Sequence, residues 1–201
     1  MSNETPLSPG PARPAITGVI LAGGLATRMG GADKGLQLFR GKPLAVCVAE
    51  RLAPQVDRLL INANRNEAEY AAFGYPLLAD RLPGFVGPLA GLHAALSVAD
   101  TPLVLTAPCD SPNLPPDLAA RLLAALQAAR GSLAFAAAGG RQHPVFCLCR
   151  TTLLPELDRY LHVGGRKVLQ WCLEQGGVAV DFSDEAEAFG NFNTLDDLKA
   201  S

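Results

Sequence analysis

The segment Gly23-Gly24-Leu25-Ala26-Thr27-Arg28-Met29-Gly30-Gly31-Ala32-Asp33-Lys34-Gly35 places five glycines and two cations in one short stretch. Glycines let a backbone close on an anion and offer it several N–H groups; arginine adds a planar fork and lysine a point charge. The chemistry this suits is phosphate binding, with Arg28 and Lys34 as the cations. A surface turn with two solvated charges is the competing reading, and the apolar run Ile16–Leu21 directly before the glycines weighs against it. Asp33 suits pairing with either cation and holding the loop. The glycine spacing fits neither the P-loop, Gly, four residues, Gly-Lys-Ser/Thr, nor the dinucleotide fingerprint Gly-x-Gly-x-x-Gly, which sets aside a P-loop NTPase and a simple NAD enzyme.

Asp110 follows an apolar run and precedes Ser111-Pro112. A single carboxylate holds Mg2+ well when phosphate oxygens and water complete the octahedron; an Asp here also suits a cap on the turn Ser111–Asp117. Asn62 and Asp80 each end an apolar run. An amide both donates and accepts, as a base or ribose requires, and a carboxylate accepts from base N–H groups or ribose hydroxyls; as isolated residues both also suit turn caps. Asn191 and Asn193 alternate, so on an extended chain they share a face, with an Asx turn as the alternative. Arg141, Arg166 and Lys167 are further cations, better read as surface charges, and His143 as a structural imidazole. Cys147 and Cys149 alternate on one strand and, lacking a second pair, read as small core residues rather than metal ligands.

The elements that must position these groups alternate between short β-like runs and longer helical runs. Strands are expected at Ile16–Leu21, Val56–Ala63, Tyr75–Leu78, Pro102–Thr106, Leu133–Ala137, Pro144–Leu148 and Val178–Phe182. Helices are expected at Pro43–Leu52, Asn66–Phe73, Leu89–Ala99, Asp117–Arg130, Thr151–Tyr160, Lys167–Glu174 and Leu195–Ala200. The clearest is Asp117–Arg130, opened by Pro115-Pro116, striped by Leu118, Leu122 and Leu126, and stopped by Gly131. Strands separated by helices imply βαβ units and a mostly parallel sheet. Such sheets bind ligands beyond the carboxyl ends of their strands. That rule selects the Gly23–Lys34 loop, Asn62, Asp80 and Asp110.

The chain has 201 residues, the size of one large domain or two small ones. With no internal linker or repeat, residues 16–201 read as one α/β domain behind a disordered, Pro-rich tail, residues 1–15. Basic residues number 17 against 19 acidic, a formal net charge of −2, which supplies no footprint for sequence-independent nucleic-acid binding. No apolar run reaches the roughly 18–20 residues of a membrane span, and the N-terminus has no signal-peptide core. Five scattered cysteines argue against a disulfide framework and for the reducing cytoplasm.

The ordered motifs resemble the molybdenum cofactor guanylyltransferases, the MobA family of nucleotidyltransferases. Leu21-Ala22-Gly23-Gly24 with Arg28-Met29-Gly30-Gly31 and Asp33-Lys34-Gly35 is similar to that family's first loop. Gly41-Lys42-Pro43-Leu44, Asn62-Ala63-Asn64-Arg65, Gly87-Pro88-Leu89-Ala90-Gly91, Pro108-Cys109-Asp110-Ser111-Pro112, Arg141-Gln142-His143-Pro144, Asp181-Phe182-Ser183-Asp184 and Asn191-Phe192-Asn193-Thr194 follow in order, over about residues 16–200. The resemblance implies a three-layer, Rossmann-like nucleotidyltransferase domain. It implies transfer of GMP from GTP to Mo-molybdopterin with Mg2+ as cofactor and release of pyrophosphate. It assigns Leu21, Ala22, Gly23, Gly24, Lys34, Asn62, Asp80 and Asp110 to the nucleotide, Asp110 also to the metal, and Asn191 and Asn193 to molybdopterin. Asp110, Lys34 and Arg28 are the expected catalytic set. Further expectations are a cytoplasmic monomer and, through the tail, contacts with other cofactor-assembly proteins or apo-molybdoenzymes. Cytidylyl transfer, another nucleotidyl transfer, and a non-catalytic nucleotide-binding protein on the same fold are the alternatives.

Overall fold

Side chains alternate across a strand, so each strand buried on both faces serves two cores. In the computed structural model, which describes residues 13–24, 33–82 and 87–190, the chain runs β1 (Ile16–Leu21), β2 (Leu38–Phe39), β3 (Lys42–Pro43), α1 (Leu44–Leu52), β4 (Arg58–Asn62), α2 (Glu67–Ala71), β5 (Leu77–Leu78), α3 (Pro88–Val98), β6 (Leu103–Pro108), α4 (Leu118–Ala128), β7 (Leu133–Ala138), β8 (Arg141–Arg150), α5 (Leu154–His162), α6 (Val168–Glu174) and β9 (Val178–Asp181). Ile16, Ile20, Leu59, Ile61, Leu103 and Leu105 pack with α1 and α4 on one face of the main sheet. Val19, Leu60, Val104 and Phe135 pack with α3, α5 and α6 on the other. The result is a three-layer α/β domain, as the βαβ pattern requires.

The main sheet has seven strands in the order β5-β4-β1-β6-β8-β7-β9. All neighbours run parallel except β8, which is antiparallel to both β6 and β7. The reversal is made at Gly139-Gly140, both at positive φ, the backbone of a two-residue hairpin. Cys147 and Cys149 face the second core, while Phe146 and Leu148 face the first. Trp171 is fully buried in the second core. Both cysteines and the tryptophan are therefore packing residues.

Three features depart from the sequence pattern. The two-residue strands β2 and β3 form a separate hairpin that carries too few residues to show alternation. The last strand is followed by a 3-10 segment, Ser183–Phe189; the helix expected at Leu195–Ala200 lies outside the described residues. β8 is longer than the expected Pro144–Leu148, and irregular: its pairing with β7 jumps from Phe135↔Cys147 to Ala136↔His143. Pro144 has no N–H to give a ladder, so a bulge there is the natural outcome. The Thr106 hydroxyl donates to the Val145 carbonyl at 2.6 Å and fixes it. Pairing of β6 with β8 stops at Thr106↔Cys147, so the two strands part beyond it.

Among the described residues no helix is long and apolar enough to cross a membrane. The entry to β1 is pinned by Asp57, which accepts the Ile16 N–H at 2.7 Å and the Arg13 guanidinium at 2.7 and 3.3 Å. The Ile16 N–H and then Arg13 hold the Asp57 carboxyl below its ordinary value. A carboxylate with a depressed folded pKa stabilises the fold fully above its unfolded pKa, about 3.9, and loses that contribution as pH falls through the folded pKa. Asp57→Asn should therefore lower stability at pH 7, by no more than about 1 kcal/mol for so exposed a pair. The gap from wild type should shrink below about pH 4. Urea unfolding at pH 7 and pH 3 measures both.

Candidate active site

The parallel register aligns four strand ends in one row: Leu78 beside Asn62, Asn62 beside Leu21, and Leu21 beside Pro108. Each chain continues the ladder one residue further. The Ala22 N–H donates to the Asn62 carbonyl at 2.8 Å, Ala63 to Leu78 at 3.0 Å and Cys109 to Leu21 at 3.2 Å. Two residues beyond the row stand Asp80, Asn64, Gly23 and Asp110. A cleft of about 350 Å3 opens over this edge, with Leu21, Gly23, Gly24, Asn62, Asp80 and Asp110 in its lining. Gly87 and Pro88, at the N-terminus of α3, also line it, and bring the positive end of that helix's dipole to the cleft. The opposite wall is Gln142–Phe146, the bulged part of β8 where it parts from β6.

Asp80 is held from three directions. Asn62 Nδ2 donates to its Oδ1 at 2.9 Å, Asn64 Nδ2 to its Oδ2 at 2.8 Å, and its own N–H donates to Asn64 Oδ1 at 2.8 Å. Each carboxylate oxygen has a second lone pair, so a fixed acceptor remains for a ligand N–H or O–H. Asn62 also donates to the Leu78 carbonyl at 3.0 Å, and Asn64 to the Gly23 carbonyl at 3.3 Å. These amides stitch the ends of β1, β4 and β5 together. Glycine is required where they crowd: a Cβ on Gly23 would stand 2.6 Å from Asn64 Nδ2, and one on Gly91 would collide with Asn62 Oδ1 and Leu21.

Lys34 Nζ donates to Asp110 Oδ2 at 2.5 Å, a charge-assisted contact of two largely shielded groups. The 3-10 turn bearing Lys34 is anchored by its neighbour. Asp33 accepts the Gly35 N–H at 3.1 Å, the Tyr70 hydroxyl at 2.6 Å and Asn66 Nδ2 at 2.9 Å, with Arg65 at 3.7 Å. Asp33 thus anchors the turn bearing Lys34 to α2 and its approach. Burial, with the Asp110 charge, pushes the Cys109 thiol up, so this sulfur stays protonated and is no nucleophile.

On the far wall the His143 ring lies 5.1 Å from that of Phe189, and Phe189 packs on Phe146 and Phe182. Burial lowers the His143 pKa, a hydrogen bond to the Ala138 backbone opposes this, and the Arg141 charge lowers it further. The imidazole is neutral at pH 7. Arg166 spends Nη1 on the Leu161 and Gly165 carbonyls, at 3.0 and 2.6 Å.

The structure thus brings Leu21, Ala22, Gly23, Gly24, Asn62, Asp80, Asp110 and Lys34 to one sheet edge. Arg28, Asn191 and Asn193 lie outside the described residues. Sequence reasoning passes over Asn64, though its alternation with Asn62 carried the signal, and over Tyr70 and Asn66, whose service to Asp33 has no local signature.

A family profile for the MobA-like NTP transferase domain matches residues 18–178. The molybdenum cofactor guanylyltransferase of Mannheimia succiniciproducens is 51% identical over 185 residues, covering 92% of this chain and 97% of that protein. The enzyme of the same name from Methylibium petroleiphilum is 50% identical over 192 residues, covering 92% and 94%. Among solved structures, the molybdopterin-guanine dinucleotide biosynthesis protein A of Archaeoglobus fulgidus superposes with a TM-score of 0.75 at 26% identity, covering 92% of this chain and 95% of that one.

The Asn64–Asp80 contact yields a graded expectation. Asn64→Ala removes two hydrogen bonds from the Asp80 segment, at about 1–3 kcal/mol, and should weaken nucleotide binding about tenfold or more. Asn64→Asp sets a like charge against Asp80 and should weaken it further. Calorimetric titration with nucleotide measures both; equal affinity in all three proteins would show that Asp80 needs no such support.

Proposed function

The chain belongs to the MobA-like NTP transferase family, and from that premise we propose that it transfers GMP from GTP to the terminal phosphate of molybdenum-loaded molybdopterin. A phosphate oxygen of the acceptor bonds to the α-phosphorus of GTP. The bond from that phosphorus to the β-phosphate oxygen breaks, and pyrophosphate leaves with molybdopterin guanine dinucleotide as the other product. The observation that carries this reading is the row of Asp80, Asn64, Gly23 and Asp110 along one sheet edge, in a chain half identical to named guanylyltransferases.

The acceptor phosphate is anionic at pH 7, so the reaction asks for little general-base help. Its difficulty is to bring two polyanions together in line and to stabilise charge on the leaving group. In this reading the Gly23-Gly24 backbone, Arg28 and Lys34 take the phosphates. Asp80, fixed by Asn62 and Asn64, accepts from guanine N–H groups or ribose hydroxyls. Asn191 and Asn193 are assigned to the pterin.

The donor set at Asp110 fits Mg2+. Among the described residues no group of three or more His, Cys, Asp or Glu could hold a metal, whereas Mg2+ needs only one or two carboxylates beside substrate phosphates and water. Asp110, one-tenth exposed and already matched to a cation, is such a carboxylate. When bound there, Mg2+ would neutralise charge on the phosphate oxygens.

The test is to incubate the protein with Mo-molybdopterin, Mg2+ and either GTP or CTP and to identify the pterin product by mass. A guanine dinucleotide from GTP alone, with one pyrophosphate per product, is expected. A cytosine product would overturn the base assignment, and binding without transfer would overturn the enzymatic reading. Asp110→Ala should reduce transfer by about 10²–10³-fold or more while the protein remains folded. Asn193→Ala should raise the KM for molybdopterin and leave GTP affinity unchanged; steady-state kinetics with each substrate varied separates the two.

A further inference from the structure

The carboxylate assigned to the metal is already in contact with a cation of the chain, the Lys34 ammonium at 2.5 Å from Asp110 Oδ2. A divalent cation such as Mg2+ binds a carboxylate oxygen at about 2.0–2.1 Å. Seated on Asp110 Oδ2 with Lys34 in place, it would lie within about 5 Å of the ammonium, in a partly desolvated cleft where like charges repel strongly. The two cations compete for one carboxylate.

Both backbones are held. Gly35 N–H, Tyr70 and Asn66 fix Asp33 and the turn that follows it. The Cys109 N–H ties the Asp110 turn to β1 at 3.2 Å. Exchange therefore falls to the Lys34 side chain, a flexible four-carbon stem ending in a compact charge. Its side chain is 29% exposed against 10% for Asp110, so of the two it has the room to move. The Gly23-Gly24 backbone, which lines the same cleft as Asp110, is where nucleotide phosphates would offer that ammonium another anion.

We propose that Lys34 is a placeholder for the divalent cation. It neutralises Asp110 while the cleft holds no nucleotide and releases the carboxylate when phosphates draw the ammonium away. The site accordingly takes the metal as its nucleotide complex and discriminates against the free ion. This rests on the reading of Asp110 as the metal ligand. By linkage, what nucleotide does for metal affinity, metal does equally for nucleotide affinity.

Mn2+ serves as the probe, its free fraction read by electron paramagnetic resonance. Nucleotide brings metal ligands of its own, so the deciding comparison is made without it. Lys34→Met keeps the length of the stem and removes the charge. It should bind Mn2+ alone about tenfold more tightly than wild type, within the usual range of such couplings. Mn2+ alone should also raise the Tm of Lys34→Met and leave that of wild type nearly unchanged. Lys34→Gln should reproduce both results if methionine disturbs the turn. Adding Asp110→Asn to either variant should cancel the gain.

Equal Mn2+ affinity in wild type and both Lys34 variants, with Asp110→Asn still lowering it, would overturn the placeholder and leave the metal assignment standing. If Asp110→Asn instead leaves Mn2+ binding unchanged in the presence of α,β-methylene GTP, which cannot transfer its nucleotidyl group, the metal assignment falls and the placeholder with it.

Discussion

The cleft depends on the parallel pairing of β1 between β4 and β6. A one-residue slip in that register would send every side chain of the slipped strand to the opposite face. Because Leu21 is level with both Asn62 and Pro108, the residues two positions further along three strands come out side by side. β5, in register with β4, adds Asp80 to the same row. The two apolar cores hold this register from both faces, so residues far from the chemistry decide where the polar groups stand.

On that fixed edge, the polar groups are satisfied before any ligand arrives. Asp80 is met by two amides and Asp110 by an ammonium. Unpaired carboxylates in a shielded cleft would be costly, and pairing also orients them. The two solutions differ in kind. The amides around Asp80 are neutral and can stay in place while a ligand donates to the remaining lone pairs. The partner of Asp110 is a cation on a flexible stem, which a metal would have to displace under the proposed role of Lys34. In that proposal one carboxylate is preorganised and the other is guarded.

Much of this architecture is legible in the sequence because it follows from period and punctuation. The run Ile16–Leu21 followed by glycines, the leucine stripe of α4 and the strand-end positions of Asn62, Asp80 and Asp110 all carry local signals. What is not legible depends on encounters between distant segments. Alternation with Asn62 places Asn64 on the same face of the chain, but it does not say that its partner will be Asp80, 16 residues away, and nothing near Lys34 indicates Asp110, 76 residues away. The wall formed by Gln142–Phe146 was hidden for another reason. Pro144 reads as the start of a strand, whereas it sits in the middle of one and breaks its pairing. The hairpin of β2 and β3 escapes because two residues cannot display a period.

Placement of the nucleotide on this row is the central claim, and an amide chemical-shift titration of the ¹⁵N-labelled protein with GTP and Mg2+ tests it most directly. The largest shifts should fall on Ala22, Gly23, Gly24, Asn62, Asn64, Asp80 and Asp110. Shifts concentrated elsewhere, for instance in the groove lined by Gln55 and Ala119, with the strand-end amides unmoved, would contradict it.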